Sequence, residues 1–107
     1  MRVLLDECLP RRLRLDLPGH EVQTVPEAGW AGKKNGDLLR VAAGTFEVFI
    51  TIDASLAFQQ DVAGLAVAVI ALSTRSNRLE ALRPLMPRVR EILATLPGPG
   101  TFHRVGE

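Results

Sequence analysis

The sequence predicts a single α/β domain over residues 1–107, with a mainly parallel central sheet of four to five strands flanked by helices in three layers. Three observations carry this expectation. Short apolar runs at 3–5, 46–52 and 66–72 have the length and side-chain character of strands buried on both faces. Apolar residues at helical spacing fill intervals between and after them. Each run also stops at a polar group: Asp6, Asp53, and Ser73 with Thr74.

Residues 3–5 form the first strand. Pro10 suits the first turn of a short helix, where a missing N–H costs little, and Leu13 and Leu17 recur at helical spacing before Pro18 and Gly19 break the run. Residues 21–25 alternate polar and apolar and close at Pro26, the pattern of a strand nearer the sheet edge; 29–32 follow as a loop. Asn35 is placed to cap the next helix, Leu38, Leu39 and Ala42 supply its apolar face, and Gly44 is placed to end it in the left-handed conformation. Between the two central strands, 54–61 has room for two helical turns. Asn77 with Glu80 resembles a capping box, opening a stripe of Leu82, Met86, Val89, Leu93 and Leu96. Pro84 and Pro87 argue against one straight helix there, so a kink or two helices is expected. Residues 97–100 make a turn, and 101–105 supply a final edge strand whose direction the sequence leaves open. This alternation implies right-handed crossovers and a functional crevice beyond the carboxyl ends of the strands.

Composition narrows the function classes. Thirteen Lys and Arg against twelve Asp and Glu leave a net charge of +1, so any basic surface must be local. The lone Cys8 cannot form an internal disulfide, and no Cys/His spacing matches a structural zinc site. The longest apolar run, 62–72, is about half of the roughly 20 residues a membrane span requires. With no secretory-signal pattern after Met1, the expected location is the cytoplasm and no membrane partner is expected.

Neighbouring strands would bring Asp6 and Asp53 to one sheet edge, and Asp37 joins them if its helix starts there. Three carboxylates around one crevice repel each other unless a cation is present, and oxygen donors without imidazole or thiolate favour Mg²⁺ or Mn²⁺. Such an ion activates water and stabilises charge on a phosphodiester, so RNA hydrolysis follows naturally. Glu7 is a further ligand candidate only if the strand has already ended, since adjacent strand residues face opposite ways. Lys33 and Lys34, just before the Asp37 helix, are candidates for the substrate backbone, and Arg11 and Arg12 lie where they can approach the same edge.

The segment Leu4-Leu5-Asp6-Glu7-Cys8-Leu9-Pro10-Arg11-Arg12-Leu13 resembles the opening of small stand-alone bacterial PIN-like domains. Gly29-Trp30-Ala31-Gly32-Lys33-Lys34-Asn35-Gly36-Asp37-Leu38-Leu39, Ile50-Thr51-Ile52-Asp53 and Ser76-Asn77-Arg78-Leu79-Glu80-Ala81-Leu82 follow in the family's order and approximate spacing. The resemblance implies a PIN-like, Rossmann-like fold and metal-dependent ribonuclease chemistry at Asp6, Asp37 and Asp53. It also implies a toxin role like that of VapC-like nucleases, with an RNA substrate and a cognate antitoxin as partners; a homodimer is a further partner reading. Two departures stand out. Where the family carries a fourth acid, this chain offers only Ser73, Ser76 and Asn77, so Ser73 and Asn77 are auxiliary candidates. Where the family has a basic residue before the third-strand aspartate, this chain has Ile52.

Several of these residues also have a plainer role, whereas Asp6 is harder to dismiss, since a carboxylate just past a buried strand needs a partner or solvent. Asp37 and Asp53 suit helix amino termini through the helix dipole, Asn77 suits a cap, and Trp30 suits the core. The two lysines suit a solvated loop. His20 and His103 have no spacing that points to a site. Two other functions remain open: a receiver-like domain with Asp53 as phospho-acceptor, and a non-catalytic PIN-like protein-binding module.

Overall fold

The computed structural model describes residues 1–52, 62–95 and 97–106. Five strands, β1 (Arg2–Leu5), β2 (Glu21–Thr24), β3 (Val48–Thr51), β4 (Ala68–Ser73) and β5 (Phe102–Gly106), form one sheet in the order β2-β1-β3-β4-β5. Every pairing is parallel, which settles the direction of the final strand. The three central strands are buried on both faces, and the alternating segment forms the β2 edge.

Alternation along the strands sorts the core into two layers. One face carries Val3, Leu5, Val48, Ile50, Ile70 and Leu72, covered by Leu13 and Leu17 from the first connection and by Leu82, Met86, Val89 and Leu93 from the last. The opposite face carries Leu4, Phe49 and Val69, covered by Leu38, Leu39 and Ala42 of helix α1 (Asn35–Ala43). The domain is therefore α/β with an all-parallel five-stranded sheet between two covering layers. Among the described residues, no helix is long and apolar enough to cross a membrane.

Several local expectations are corrected. The first connection is a 3-10 helix (Arg11–Asp16) with Pro10 at its cap. The cap of α1 falls on Lys34, one residue before Asn35. Gly44 ends α1 in the right-handed region at φ −86°, because the Thr45 and Phe46 N–H groups both close back on the Ala42 carbonyl and the chain needs no left-handed reversal. The capping box does not form: the second cap is Arg78, whose N–H is taken by Ser76 Oγ, and Asn77 donates elsewhere. The prolines break the last helical region as expected, into α2 (Leu79–Leu82), a 3-10 turn (Arg83–Leu85) and α3 (Met86–Ala94). The helical turns expected at 54–61, and Leu96 of the apolar stripe, lie outside the described residues.

The crossovers do not all share one hand. The β1–β2 and β4–β5 connections cover the same face but step in opposite directions along the sheet, so one has the hand opposite to the other. The two connections touch on that face: Arg83 pairs with Asp16 at 3.3 Å, Arg90 donates to the Asp16 carbonyl, and Asn77 donates to the Cys8 carbonyl.

Two positions yield stability predictions. The turn before β5 places Gly100 at φ +82°, and an added Cβ would lie 2.6 Å from the Ala63 carbonyl oxygen. Gly100→Ala is expected to lower stability by at least about 1–2 kcal/mol from the left-handed conformation alone, with the clash adding to it; urea unfolding measures the loss.

The outer edge of β2 is blunted by Glu27, whose carboxylate accepts the Thr24 N–H at 2.9 Å and pairs with Arg14. The Thr24 N–H first, and then the Arg14 guanidinium, hold the Glu27 carboxyl below its ordinary range. A depressed folded-state value stabilises the fold above the unfolded pKa, and that contribution disappears as pH falls through the folded value. Glu27→Gln should therefore melt below the parent above about pH 5, with the difference closing as the medium is acidified. Thermal melts of both proteins across the acid range read it directly.

Candidate active site at the carboxyl edge of the sheet

β1 ends at Leu5, and Asp6 follows at the carboxyl edge, its N–H bonded to the Ile50 carbonyl of β3 at 3.0 Å. Parallel pairing of β1 with β3 sets the side chain beside the end of β3. There Thr51, fully buried, donates its hydroxyl to Asp6 Oδ2 at 2.7 Å. The Glu7 N–H donates to Oδ1 at 2.8 Å. The Cys8 thiol lies beside the same carboxylate; burial first, and then the Asp6 charge, push its pKa above the ordinary value. Both influences favour the neutral thiol over the thiolate.

Topology brings further candidates to this edge. The chain leaves the end of β2 and enters α1 with Lys33, Lys34 and, in the first turn, Asp37. Asp37 is exposed and paired with Arg40 at 3.4 Å, one turn along the same helix. Ser73 ends β4, and the following loop is fastened to the β1 loop by the Asn77 amide donating to the Cys8 carbonyl at 3.2 Å. Asn77 is therefore a clasp between two loops. Glu7 lies past the strand end, in a turn, and is exposed. Asp53 lies outside the described residues. His20 is at the other edge, where it accepts from the amino-terminal ammonium.

The distribution of unpaired charge distinguishes this edge. Elsewhere Arg2, Arg14, Arg83 and Arg88 each sit within 4 Å of a carboxylate. Among the described residues, Arg11, Arg12, Lys33, Lys34, Arg75 and Arg104 have no side-chain hydrogen bond or ion pair, and all but Arg104 lie in the segments that leave the carboxyl ends of the strands, Arg11 and Arg12 at the start of the 3-10 helix and the others in loops. The described carboxylates outside ion pairs are Glu47, which accepts the Arg2 N–H, and Asp6 and Glu7 at this same edge. Thr74 Oγ1, just past β4, is the described buried side-chain polar atom with no hydrogen-bond partner. Charges of both signs and a buried hydroxyl without a protein partner thus occur in the segments that leave this edge.

No family model, curated protein or solved structure matches the chain.

A carboxylate has about four lone-pair positions, and Asp6 gives one on each oxygen to Glu7 and Thr51, so each oxygen can still accept. Its chemistry fits Mg²⁺ or Mn²⁺. Among the described residues, no three His, Cys, Asp or Glu side chains gather into a cage, so the described part supplies one anchoring carboxylate. Sequence reasoning missed Thr51, Cys8 and Arg75. Thr51 reads as β-branched strand filler, and only strand pairing reveals its proximity to Asp6; Cys8 reads as a mark of compartment although it lies two residues from Asp6.

Proposed function

We propose that the protein is a metal-dependent endoribonuclease of PIN-like type, acting as the toxin of a toxin–antitoxin pair and held in check by a cognate antitoxin. The observation carrying the proposal is the Asp6–Thr51 pair at the carboxyl ends of two central parallel strands, beside a rim of unpaired cations. Ligand crevices of open parallel sheets lie at that edge. The ordered resemblance of the segments around Asp6, Asp37, Asp53 and Asn77 to PIN-like domains adds the reaction class.

In this scheme Thr51 and the Glu7 N–H fix the orientation of the Asp6 carboxylate, Asp37 and Asp53 complete the acidic set, and Glu7 is in reserve. Lys33, Lys34, Arg11 and Arg12 hold backbone phosphates, which their lack of acidic partners leaves them able to do. A bound Mg²⁺ or Mn²⁺ would supply acidity to a water and neutralise charge developing on the phosphoryl oxygens. Ser73 and Asn77 shape the rim on the β4 side. The test is incubation of the purified protein with single-stranded RNA and Mg²⁺ or Mn²⁺, against a chelated control. Metal-dependent internal cleavage supports the proposal; intact RNA together with tight binding of a neighbouring gene product selects the non-catalytic binding module instead.

The strand order favours a second reading. Order β2-β1-β3-β4-β5 is that of flavodoxin-like doubly wound sheets, which include receiver domains with a phospho-acceptor aspartate after β3. Two observations weigh against it. The β4–β5 connection covers the face that a uniformly right-handed doubly wound sheet reserves for the first connection. The only lysines are Lys33 and Lys34, so none follows a late strand to grip a phosphoryl group. Uptake of phosphate by Asp53 from acetyl phosphate would establish the receiver; its absence removes it.

A further inference from the structure

We propose that Arg75 is a substrate-positioning residue, holding a backbone phosphate of single-stranded RNA as it crosses the carboxyl edge; this rests on the ribonuclease reading and adds to it the path of the strand. Arg75 is exposed in the loop that follows β4 and has no side-chain partner among the described residues. The loop is not left to wander: the Asn77 amide fastens it to the Cys8 carbonyl, two residues from Asp6. Neighbouring Arg78 pairs with Glu80 at 3.9 Å and is the less available cation.

The sheet gives this placement a direction. Arg11 and Arg12 open the connection covering one face, and the Arg75 loop leads to the helices on that same face. Lys33 and Lys34 precede α1, which covers the other face. Asp6 stands at the end of the sheet between them. β1 and β4 are two strand spacings apart, about 10 Å, so a strand gripped on both faces spans a few nucleotides and must pass over Asp6. The surroundings of Arg75 agree, since the orphaned Thr74 Oγ1 is its immediate neighbour. A formal net charge of only +1 for the whole chain makes this local rim, not a global field, the source of attraction to a polyanion.

The experiment measures binding, not turnover. Fluorescence anisotropy of a labelled single-stranded RNA of mixed sequence is followed in chelator, over a range of salt, with the parent, Arg75→Ala, Arg75→Lys and the control Arg88→Ala. Arg75→Ala should bind about fivefold to tenfold more weakly, the effect of one charge-assisted phosphate contact, with the salt slope reduced by about 0.7. Arg75→Lys should recover most of the affinity and the slope, and Arg88→Ala, whose side chain is paired on α3, should match the parent. An unchanged slope in Arg75→Ala, or an equal loss in Arg88→Ala, overturns the inference. The two readings can fail separately. Parent-like RNA binding that needs Arg75, without cleavage when metal is restored, sinks hydrolysis alone; metal-dependent cleavage with binding indifferent to Arg75 sinks the path alone.

Discussion

Asp6→Asn is expected to lower Mg²⁺- or Mn²⁺-supported RNA cleavage by at least about a hundredfold while leaving the thermal midpoint close to that of the parent. The two halves of this result have separate causes. Asparagine has nearly the shape of aspartate and keeps one acceptor oxygen for a neighbouring donor. The Ile50–Asp6 main-chain bond and the β1–β3 pairing do not involve the substituted atoms. What is lost is the negative charge. A hard cation depends on that charge, and several kcal/mol of charge stabilisation correspond to at least two powers of ten in rate. Cleavage assays with matched melts separate the cases: equal cleavage by the variant removes Asp6 from the chemistry, and a collapsed midpoint reassigns it to the fold.

The lettering of the chain revealed strands more readily than their arrangement. Residues 3–5 and 48–51 are short apolar stretches stopped by polar groups, and such stretches declare buried parallel strands because both faces must be apolar. The half-polar 21–24 segment likewise declared an edge. The direction of β5 and the shared face of the first and last connections were not legible. The first shows only in the pairing of β5 with β4, and the second in contacts such as Arg83 with Asp16 and Asn77 with Cys8, between residues more than sixty positions apart. Periodicity reports what a segment buries and says nothing of which face it reaches.

The same limit governs the site. Asp6 was conspicuous because a carboxylate past a buried strand needs water or a partner. Its partner was hidden, since Thr51 is forty-five residues away and blends into a β-branched run. Arg75 was hidden for another reason: an isolated arginine has no pattern, and it stands out only once Arg2, Arg14, Arg40, Arg78, Arg83 and Arg88 are found beside carboxylates. Cap positions failed on a smaller scale. Asn35 and Asn77 are favourable cap types, yet the helices begin from Lys34 and Arg78; at the second, the amide of Asn77 is drawn into a tertiary bond with the Cys8 carbonyl.

Phe49→Ala should produce the largest loss of stability among single substitutions away from the site, about 3–5 kcal/mol. Phe49 is 1 % exposed in the middle of β3, flanked in register by Leu4 and Val69, and packs in the cluster that holds Leu38, Leu39 and Ala42 of α1. Truncation removes both the transfer free energy of the ring and the contacts of everything around it, and a rigid sheet beneath a helix has little means to close the void. Domains of this size hold about 5–15 kcal/mol in total, so the variant is expected to sit near the margin, with its urea midpoint strongly lowered and its denaturant slope little changed. Leu15, 68 % exposed on the first connection, supplies the contrast: Leu15→Ala should stay within about 0.5 kcal/mol. A cost for Phe49→Ala below about 1 kcal/mol would overturn the close packing of Phe49 beneath α1.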